Sequence, residues 1–385
     1  MSALYSRFFA LAASVLAASV LGAGCGGSDN EKKEEPDVPP VEEVVFARGA
    51  DISWASEMEY DMAHNPSRIN GTAFKDAKGN TGLLPVLKSA GVNAIRLRVW
   101  VKPEDPNGWS GKDDVVTMAK RAADVGMSVM IDFHYSDFFA DPGKQITPAE
   151  WSGLDLKGLS AKVAEHTKDV LSALKSAGVT PLWVQVGNET RPGMLWETGR
   201  LYNDKGEIAG GWKNYTALNN AGYDAVKAIF PRAQVIVHID NAYQDNSWFF
   251  DKLKANGGKF DMIGLSHYPM AGSGMTWKAM NSAAILNIKT LAAKYGCRVM
   301  VCEIGVSGSA SDLAASTKCV KDFMNSAKAL SICAGVFYWE PEVDGKWRPS
   351  IYEKPDRNWG AYGAGAFTSD GSALYPTSIL AAFGE

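Results

Sequence analysis

Val184-Gln185-Val186-Gly187-Asn188-Glu189 and Val299-Met300-Val301-Cys302-Glu303-Ile304-Gly305 are the two most informative stretches of this 385-residue chain. Each is an apolar run with β-branched residues that reaches a glutamate and then continues into turn-forming residues. Buried parallel strands have this composition because both of their faces are covered. In a (β/α)8 barrel the carboxyl ends of the strands form the catalytic face, so Glu189 and Glu303 are the first candidates for a shared site.

Short apolar runs of this kind recur along the chain, each followed by a polar loop. They predict strands over residues 45–53, 94–100, 128–134, 182–187, 234–240, 262–267, 298–303 and 335–339. Apolar residues spaced three and four apart predict helices over residues 83–90, 115–125, 159–176, 215–229, 282–295 and 310–327. The alternation of strand and helix predicts an α/β fold, a single (β/α)8 TIM barrel over residues 44–385 rather than an open sheet.

Glycine ends four of the helical patterns, at Gly91, Gly126, Gly178 and Gly296. A helix commonly ends on a residue in the left-handed conformation, and glycine adopts it without a steric penalty. These positions therefore mark where each helix gives way to the next strand.

Polar side chains gather at the predicted carboxyl ends of the strands. One or two of them could be ordinary capped loop residues, but their recurrence on all eight strands indicates one shared site. The set comprises Asp51, Arg96 or Arg98, Asp132, His134, Asn188, Glu189, His238, Asp240, His267, Glu303, Trp339 and Glu340.

Two carboxylates on separate strands suit the cleavage of a glycosidic bond. We expect Glu189 to stay protonated and act as acid/base, and Glu303 to be the ionised nucleophile, about 5 Å away as retention of configuration requires. Arg96 and Arg98 point to the same side of their strand, because side chains alternate with period two. We favour Arg98 as the cation that keeps the pKa of Glu303 low, because it lies nearer the catalytic end.

The remaining candidates are predicted to bind substrate. The Asn188 amide can hydrogen-bond a sugar hydroxyl next to the scissile carbon, and tryptophan rings can stack on sugar faces, Trp339 above all. At least one of the tryptophans is expected to belong to the core instead. The predicted substrate-binding residues are Asp51, Trp54, Arg98, His134, Asn188, Asp240, His267, Tyr268, Trp339, Trp347 and Trp359.

The amino terminus is predicted to be an export signal. Arg7 precedes an apolar run over residues 8–21, and small residues lead to Cys25, so residues 1–24 are expected to be a lipoprotein signal peptide with lipid attached to Cys25. An ordinary signal peptide with an unrelated cysteine is the alternative. Residues 25–43 are rich in charge and proline and predict a flexible tether. We therefore expect an exported protein anchored by its lipid to a membrane at the bacterial cell surface.

Composition and charge exclude several other classes. A net charge of −4 gives no electrostatic case for nucleic acid, and we expect a monomer. The chain has no zinc box, phosphate-binding loop or dinucleotide fingerprint. After Cys25 the cysteines are Cys297, Cys302, Cys319 and Cys333, and export permits disulfides whose connectivity cannot be deduced.

Six further motifs in order resemble one family. They are Arg48-Gly49-Ala50-Asp51-Ile52-Ser53, Ile95-Arg96-Leu97-Arg98-Val99-Trp100, Asp132-Phe133-His134-Tyr135-Ser136-Asp137, Gln185-Val186-Gly187-Asn188-Glu189-Thr190, Ser266-His267-Tyr268-Pro269 and Phe337-Tyr338-Trp339-Glu340-Pro341. Together they are similar to the arabinogalactan endo-β-1,4-galactanases, glycoside hydrolase family 53, over residues 48–385. The resemblance implies a (β/α)8 barrel and endo-cleavage of β-1,4-galactan with retention, with Glu189 as acid/base and Glu303 as nucleophile.

The family resemblance also raises the question of a metal. Some bacterial members carry calcium in a long loop after the seventh strand, but the matching residues 305–312 are few and contain one carboxylate, Asp312. We therefore expect no calcium and no other cofactor. Two alternatives to the galactanase stay open: a sugar-binding surface lipoprotein on a barrel scaffold, and another β-1,4-glycanase such as a mannanase or cellulase.

Overall fold

A closed barrel of eight parallel strands forms the centre of the molecule. The computed structural model describes residues 46–270, 274–354, 357 and 359–384. Each strand pairs with its neighbours in sequence, and the eighth pairs with the first. The strands are β1 (Ala47–Asp51), β2 (Ala94–Val99), β3 (Ser128–Phe133), β4 (Trp183–Val186), β5 (Gln234–Ile239), β6 (Met262–His267), β7 (Val299–Ile304) and β8 (Cys333–Trp339). The barrel prediction is confirmed, whereas the expectations for residues 1–45 lie outside the described residues.

Helices follow the strands and cover the outside of the barrel. They are α1 (Ala55–His64), α2 (Leu83–Ser89), α3 (Lys112–Asp124), α4 (Leu156–Ser176), α5 (Gly211–Ile229), α6 (Ser247–Ala255), α7 (Trp277–Tyr295) and α8 (Leu313–Lys328). Short 3-10 turns span Ala149–Trp151, Ser350–Glu353 and Leu380–Phe383, and small antiparallel pairs lie in the loops after β4 and β8.

The sequence pattern missed two helices, α1 and α6. α1 begins four residues after β1 ends, within the polar segment assigned to a loop, and its buried residues include the polar Glu57 and Asp61. α6 is nine residues long, and its Trp248-Phe249-Phe250 run has no helical spacing of its own. The predicted glycine caps are confirmed, with φ of 97° at Gly91, 77° at Gly126, 75° at Gly178 and 66° at Gly296.

The barrel interior below the catalytic end is filled with apolar side chains. Phe337 and Trp183 meet edge to face there, with ring centroids 6.0 Å apart. Gly49 leaves room for the Phe337 ring, because a Cβ at position 49 would lie 2.1 Å from it. Cys302 belongs to the same packed layer, and all four described cysteines are free. The lumen is therefore a core and not a channel, which confines polar chemistry to the open end.

Within the described ranges, no helix combines the length and the apolar composition that crossing a membrane requires.

Phe337→Ala tests whether this layer supports the whole barrel. We expect the free energy of unfolding to fall by about 3–5 kcal/mol, because truncation leaves a cavity in a closed lumen. Leu286→Ala is the control: Leu286 is 65% exposed, and its truncation is expected to change the free energy by less than about 0.5 kcal/mol. Urea unfolding followed by tryptophan fluorescence measures both, and equal small losses would contradict a packed lumen.

Candidate active site

Glu303 reaches the barrel interior because β7 contains a bulge. Leu265 of β6 pairs with Val301 of β7, whereas the next residue, Ser266, pairs with Glu303. The register between the two strands therefore shifts by one residue at this point. Cys302 already faces the lumen, so the extra residue lets Glu303 face inward as well instead of pointing towards the helices. Bulges next to active sites commonly redirect a side chain in this way.

Two groups hold the Glu303 carboxylate. Arg96 Nη2 lies 3.0 Å from Oε1, and the Tyr268 hydroxyl donates a hydrogen bond of 2.6 Å to Oε2. Burial raises the pKa of Glu303, while the Arg96 charge and the Tyr268 hydrogen bond act against that rise. Glu303 is 5% exposed. These two contacts hold the carboxylate in one orientation, and a small part of its surface faces the open end of the barrel.

Arg96, and not Arg98, is the cation beneath the nucleophile candidate. The guanidinium is 1% exposed and also contacts Asp51 at 2.7 Å and Asp132 at 2.8 Å. Arg98 lies above it in the same strand, bonded to Glu340 at 2.8 Å and stacked 3.8 Å from the centre of the Trp54 ring. The preference for Arg98 as that cation is therefore wrong, because its guanidinium pairs with Glu340, the residue that follows β8; its predicted contact with substrate stays a prediction.

Glu189 stands on a strained turn after β4. Its φ is 46°, a left-handed value that is uncommon for residues other than glycine and clusters at functional sites. The next residue fixes the turn, since the Thr190 N–H and hydroxyl both donate to the carbonyl of His238, at 2.8 and 3.2 Å. The fold thus holds Glu189 at the open end of the barrel.

The two glutamates have different electrostatic surroundings. Burial raises the pKa of Glu189 well above its ordinary value, and the negative charges of Glu303 and Asp240 raise it further. Glu303 has a guanidinium in contact, whereas carboxylates are the charged groups that act most strongly on Glu189. The arrangement favours a protonated Glu189 beside an ionised Glu303, which is the division of roles between an acid and a nucleophile.

Three predicted contacts are wrong because the side chains are buried in packing. Trp54 is 1% exposed and Trp347 is 2% exposed. Trp54 packs edge to face against Trp100, Phe139, Trp347 and Tyr352, and Trp347 Nε1 donates to Asp61 at 2.9 Å. His267 points away from the lumen to Asn281, 2.9 Å from its Nε2, and burial lowers its pKa to about 4. These residues support the barrel rather than the cleft.

Two further predicted contacts act inside the protein. Asp51 is 0% exposed and is bonded to Arg96 and to the Ser53 hydroxyl, the latter at 2.6 Å. His134 has both ring nitrogens engaged, because Nδ1 accepts from the Ala140 N–H at 2.9 Å and Nε2 lies 3.0 Å from Asp132. In the structure both residues hold neighbouring protein groups in place, and their predicted sugar contacts stay predictions.

Five predicted substrate-binding residues stay available to a ligand. Asn188 uses its oxygen for Arg96 and one N–H for the Ala140 carbonyl, which leaves its second N–H. Asp240 is paired with Arg191 and keeps part of its carboxylate exposed. Tyr268, Trp339 and Trp359 line the open end; Trp339 contacts Tyr268 edge to face at 6.4 Å, and Trp359 is 38% exposed.

The sequence reasoning gave no individual role to three residues that shape the site, Gln185, His238 and Ser266, although it placed His238 in the shared set of strand-end residues. Gln185 accepts from Arg96 Nε at 2.7 Å and donates to Asp132 at 2.9 Å. His238 lies 2.8 Å from the Ser266 hydroxyl. Buried polar residues within otherwise apolar strands were the available signal for all three.

The loop after β7 has a poor set of donors for calcium. Its carboxylate, Asp312, accepts from the hydroxyls of Ser307 and Ser309 at 2.7 and 2.8 Å. Across the part of the chain that the structure describes, no cluster of three or more His, Cys, Asp or Glu side chains is arranged to hold a metal. One carboxylate already engaged by two serines does not fit a cation that takes six to eight oxygens, and the expected absence of calcium stays a prediction.

Comparisons with known proteins agree with this geometry. The profile of the family described as Glycosyl hydrolase family 53 matches residues 47–374. An arabinogalactan endo-beta-1,4-galactanase of Thermothelomyces thermophilus is 33% identical over 314 residues, covering 75% of this chain and 88% of that protein. The endo-beta-1,4-galactanase of Bacillus subtilis (strain 168) is 31% identical over 354 residues, covering 83% of this chain and 75% of that protein. The catalytic domain of this family from Ignisphaera aggregans superposes with a TM-score of 0.70 at 25% identity, covering 90% of this chain and 97% of that chain.

Glu303→Gln tests the electrostatic coupling of the two glutamates. Removing the charge at position 303 is expected to lower the pKa of Glu189, because a nearby negative charge disfavours a second one. Titration of carboxyl-labelled glutamate, followed by 13C NMR, measures the pKa of Glu189. Glu353→Gln, which alters an exposed carboxylate, is the control and is expected to leave that pKa unchanged. An unchanged or higher pKa in Glu303→Gln would show that the two carboxylates do not share a site.

Proposed function

Because the chain belongs to glycosyl hydrolase family 53, we propose that it is an endo-β-1,4-galactanase that cleaves pectic galactan, type I arabinogalactan and galacto-oligosaccharides by double displacement. The observation that carries the proposal is the pair Glu189 and Glu303, which stand at the ends of two strands, with a guanidinium in contact with Glu303 and carboxylates acting on Glu189. The relatives from Thermothelomyces thermophilus and Bacillus subtilis, both named for this activity, support the choice of substrate.

In the first step of the proposed reaction, a Glu303 oxygen forms a bond to the anomeric carbon as the bond to the leaving sugar breaks. Glu189 gives its proton to the departing oxygen, so the leaving sugar departs as a neutral alcohol. Arg96 and Tyr268 hold the Glu303 carboxylate for attack and oppose its protonation.

In the second step water hydrolyses the glycosyl-enzyme. The Glu189 carboxylate takes a proton from the water, whose oxygen bonds to the anomeric carbon, and the bond to Glu303 breaks. Two inversions at one carbon give net retention. The carboxyl separation of about 5 Å that retention requires stays a prediction.

The open end of the barrel supplies the proposed contacts to the sugar. The second N–H of Asn188 is proposed to donate to a hydroxyl beside the scissile carbon, and Asp240 is proposed to offer its carboxylate to the sugar on the side of Glu189. Trp339 and Trp359 are proposed to stack on sugar faces. Trp359 is rigid enough for that role, since it packs against Phe138 and Tyr352 with centroids 5.4 and 5.3 Å away.

Hydrolysis of linear galactan tests the enzyme against the sugar-binding alternative. We expect the wild type to release reducing ends and Glu303→Gln to lose about a thousandfold or more of kcat, because the nucleophile is removed at constant size. Glu353→Gln is the matched surface control, and 1H NMR of the first product is expected to show the β anomer. Equal negligible release by wild type and Glu303→Gln would favour the binder, and preference for mannan or cellulose in a substrate panel would favour another glycanase.

We further propose that the protein is an exported lipoprotein and works as a monomer. Residues 1–24 have the charge, apolar core and small residues of a signal peptide, and Cys25 directly follows them. The tether over residues 25–43 would hold the barrel away from the membrane surface, where it can reach a polymer.

Cys25→Ser tests the anchor in a bacterial host. The wild type is expected to take up an alkyne-labelled fatty acid and to partition with membranes, because the thiol carries the lipid. The variant is expected to lose the label, and Cys297→Ser, which alters a cysteine of the barrel, is expected to keep it. Equal labelling of the wild type and Cys25→Ser would contradict the anchor and leave the ordinary signal peptide.

A further inference from the structure

Trp248 leaves apolar surface in solvent on the catalytic side of the barrel. It stands in the first turn of α6, the helix that follows β5, and helices of this fold begin on the side where the strands end. The residue is 39% exposed, and the ring of Tyr202, from the short hairpin in the loop after β4, meets it edge to face with centroids 6.1 Å apart. The two rings form an aromatic platform, and exposed apolar patches commonly mark binding sites.

Buried aromatic side chains hold the Trp248 ring in place. The rings of Trp212 and Phe249 meet it edge to face, with centroids 6.5 and 5.8 Å away. Both neighbours are buried, and both contact the buried Tyr215 ring, at 6.0 and 5.8 Å. A ring that the core already holds loses little conformational freedom when a ligand binds to it, which favours binding.

The same cluster of rings reaches the turn that carries Glu189. The Tyr215 hydroxyl lies 2.7 Å from the hydroxyl of Thr190, the residue that follows Glu189. Thr190 also fixes this turn through its two hydrogen bonds to the carbonyl of His238. A continuous set of buried contacts therefore joins the aromatic platform to the acid/base candidate.

Backbone contacts lead from the strand ends to the platform as well. In the loop after β4, the Leu201 N–H donates to the carbonyl of Pro192 at 2.9 Å. In the loop after β5, the Asn246 side chain donates to the carbonyl of Asn241 at 3.1 Å. The platform residues come one and two positions after these contacts, so both loops lead from the catalytic end of the barrel to the platform.

The charged side chains beside the platform are paired with one another. Lys252 of α6 pairs with Glu207 of the hairpin, and Arg200, which donates to the Tyr202 carbonyl, pairs with Glu197 at 2.9 Å. Because these charges neutralise one another, the rings dominate the surface that a ligand meets. A neutral polymer whose sugar rings present C–H faces suits such a surface better than a charged one.

We propose that the aromatic platform is a binding site for galactan, and that it holds the leaving-group part of the chain beyond the sugar next to the scissile bond. The proposal rests on the proposed function, since a general acid gives its proton to the oxygen of the departing sugar. That sugar lies on the Glu189 side of the cleft, and the contacts above join the platform to the loop that begins at Glu189. The departing part of the polymer then runs over the loops after β4 and β5.

Trp248→Ala tests the site on two substrates. With long linear galactan we expect kcat/KM to fall about tenfold, mainly through KM, because the bound chain loses a stacked sugar. With a dinitrophenyl β-1,4-galactobioside, whose leaving group is not a sugar, the change is expected to stay within about twofold. Trp248→Phe keeps a ring and is expected to restore most of the galactan value. Tyr60→Ala is the matched control, since Tyr60 of α1 is an aromatic residue 37% exposed, and it is expected to change neither substrate.

Transfer to a sugar acceptor separates the leaving-group side from the other side of the cleft. The acceptor occupies the place of the departed sugar: its hydroxyl oxygen bonds to the anomeric carbon, its proton goes to Glu189, and the bond to Glu303 breaks. With the galactobioside as donor and galactohexaose below saturation as acceptor, we expect Trp248→Ala to lower the ratio of transfer to hydrolysis about tenfold. With galactose as acceptor, which is too short to reach the platform, the ratio is expected to stay unchanged. Mass spectrometry of the products measures both ratios.

Three results would overturn the proposal. They are equal losses on galactan and the galactobioside, an unchanged ratio of transfer to hydrolysis with galactohexaose, and a wild-type dimer in sedimentation velocity that Trp248→Ala converts to a monomer, which would assign the platform to a second copy of the chain. If circular dichroism shows that Trp248→Ala does not fold, Tyr202→Ala is measured in its place and judged by the same outcomes.

A wild type that leaves both substrates intact would instead overturn the proposed function. Calorimetric titration of galactohexaose into the wild type and Trp248→Ala then decides the platform separately. Tighter binding by the wild type supports a galactan site, and equal affinities overturn it.

Discussion

The guanidinium of Arg96 is the contact on which the catalytic end of the barrel depends. It is enclosed between strands and meets three carboxylates, Asp51, Asp132 and Glu303. Taking any one of these charges out of water is costly, and each is tolerated because the others neutralise it and hydrogen bonds satisfy the remaining atoms. Arg96 and its three carboxylates therefore stabilise the fold only as a complete set. The set also holds the charge of Glu303 at the open end of the barrel.

The same guanidinium explains how two glutamates in one barrel acquire different roles. Glu303 lies against Arg96 and accepts from Tyr268, while the negative charges of Glu303 and Asp240 act on Glu189. Burial raises the pKa of both, but the cation opposes the rise for one and neighbouring anions reinforce it for the other. Separation of roles thus follows from which strand holds the arginine, rather than from any difference between the two side chains.

The sequence was sufficient to predict the barrel and its two glutamates, because strand composition, helical spacing and glycine caps are local signals. It could not distinguish Arg96 from Arg98, since both face inward and only the tilt of neighbouring strands decides which one lies beneath Glu303. It could not separate Ser266 from His267 either: alternate residues of a strand face opposite sides, and the side that faces the lumen depends on register. The errors at Trp54 and Trp347 have the same origin, because a tryptophan near a strand end can enter the cleft or the packing behind it.

The bulge in β7 shows why register matters here. Strict alternation would put Cys302 inside and Glu303 outside, towards the helices, and the nucleophile would be lost from the lumen. The extra residue between Val301 and Glu303 brings Glu303 level with Ser266, which in turn contacts His238. One local irregularity therefore places the nucleophile candidate Glu303 on Arg96, so its position is set by the pairing of β6 with β7.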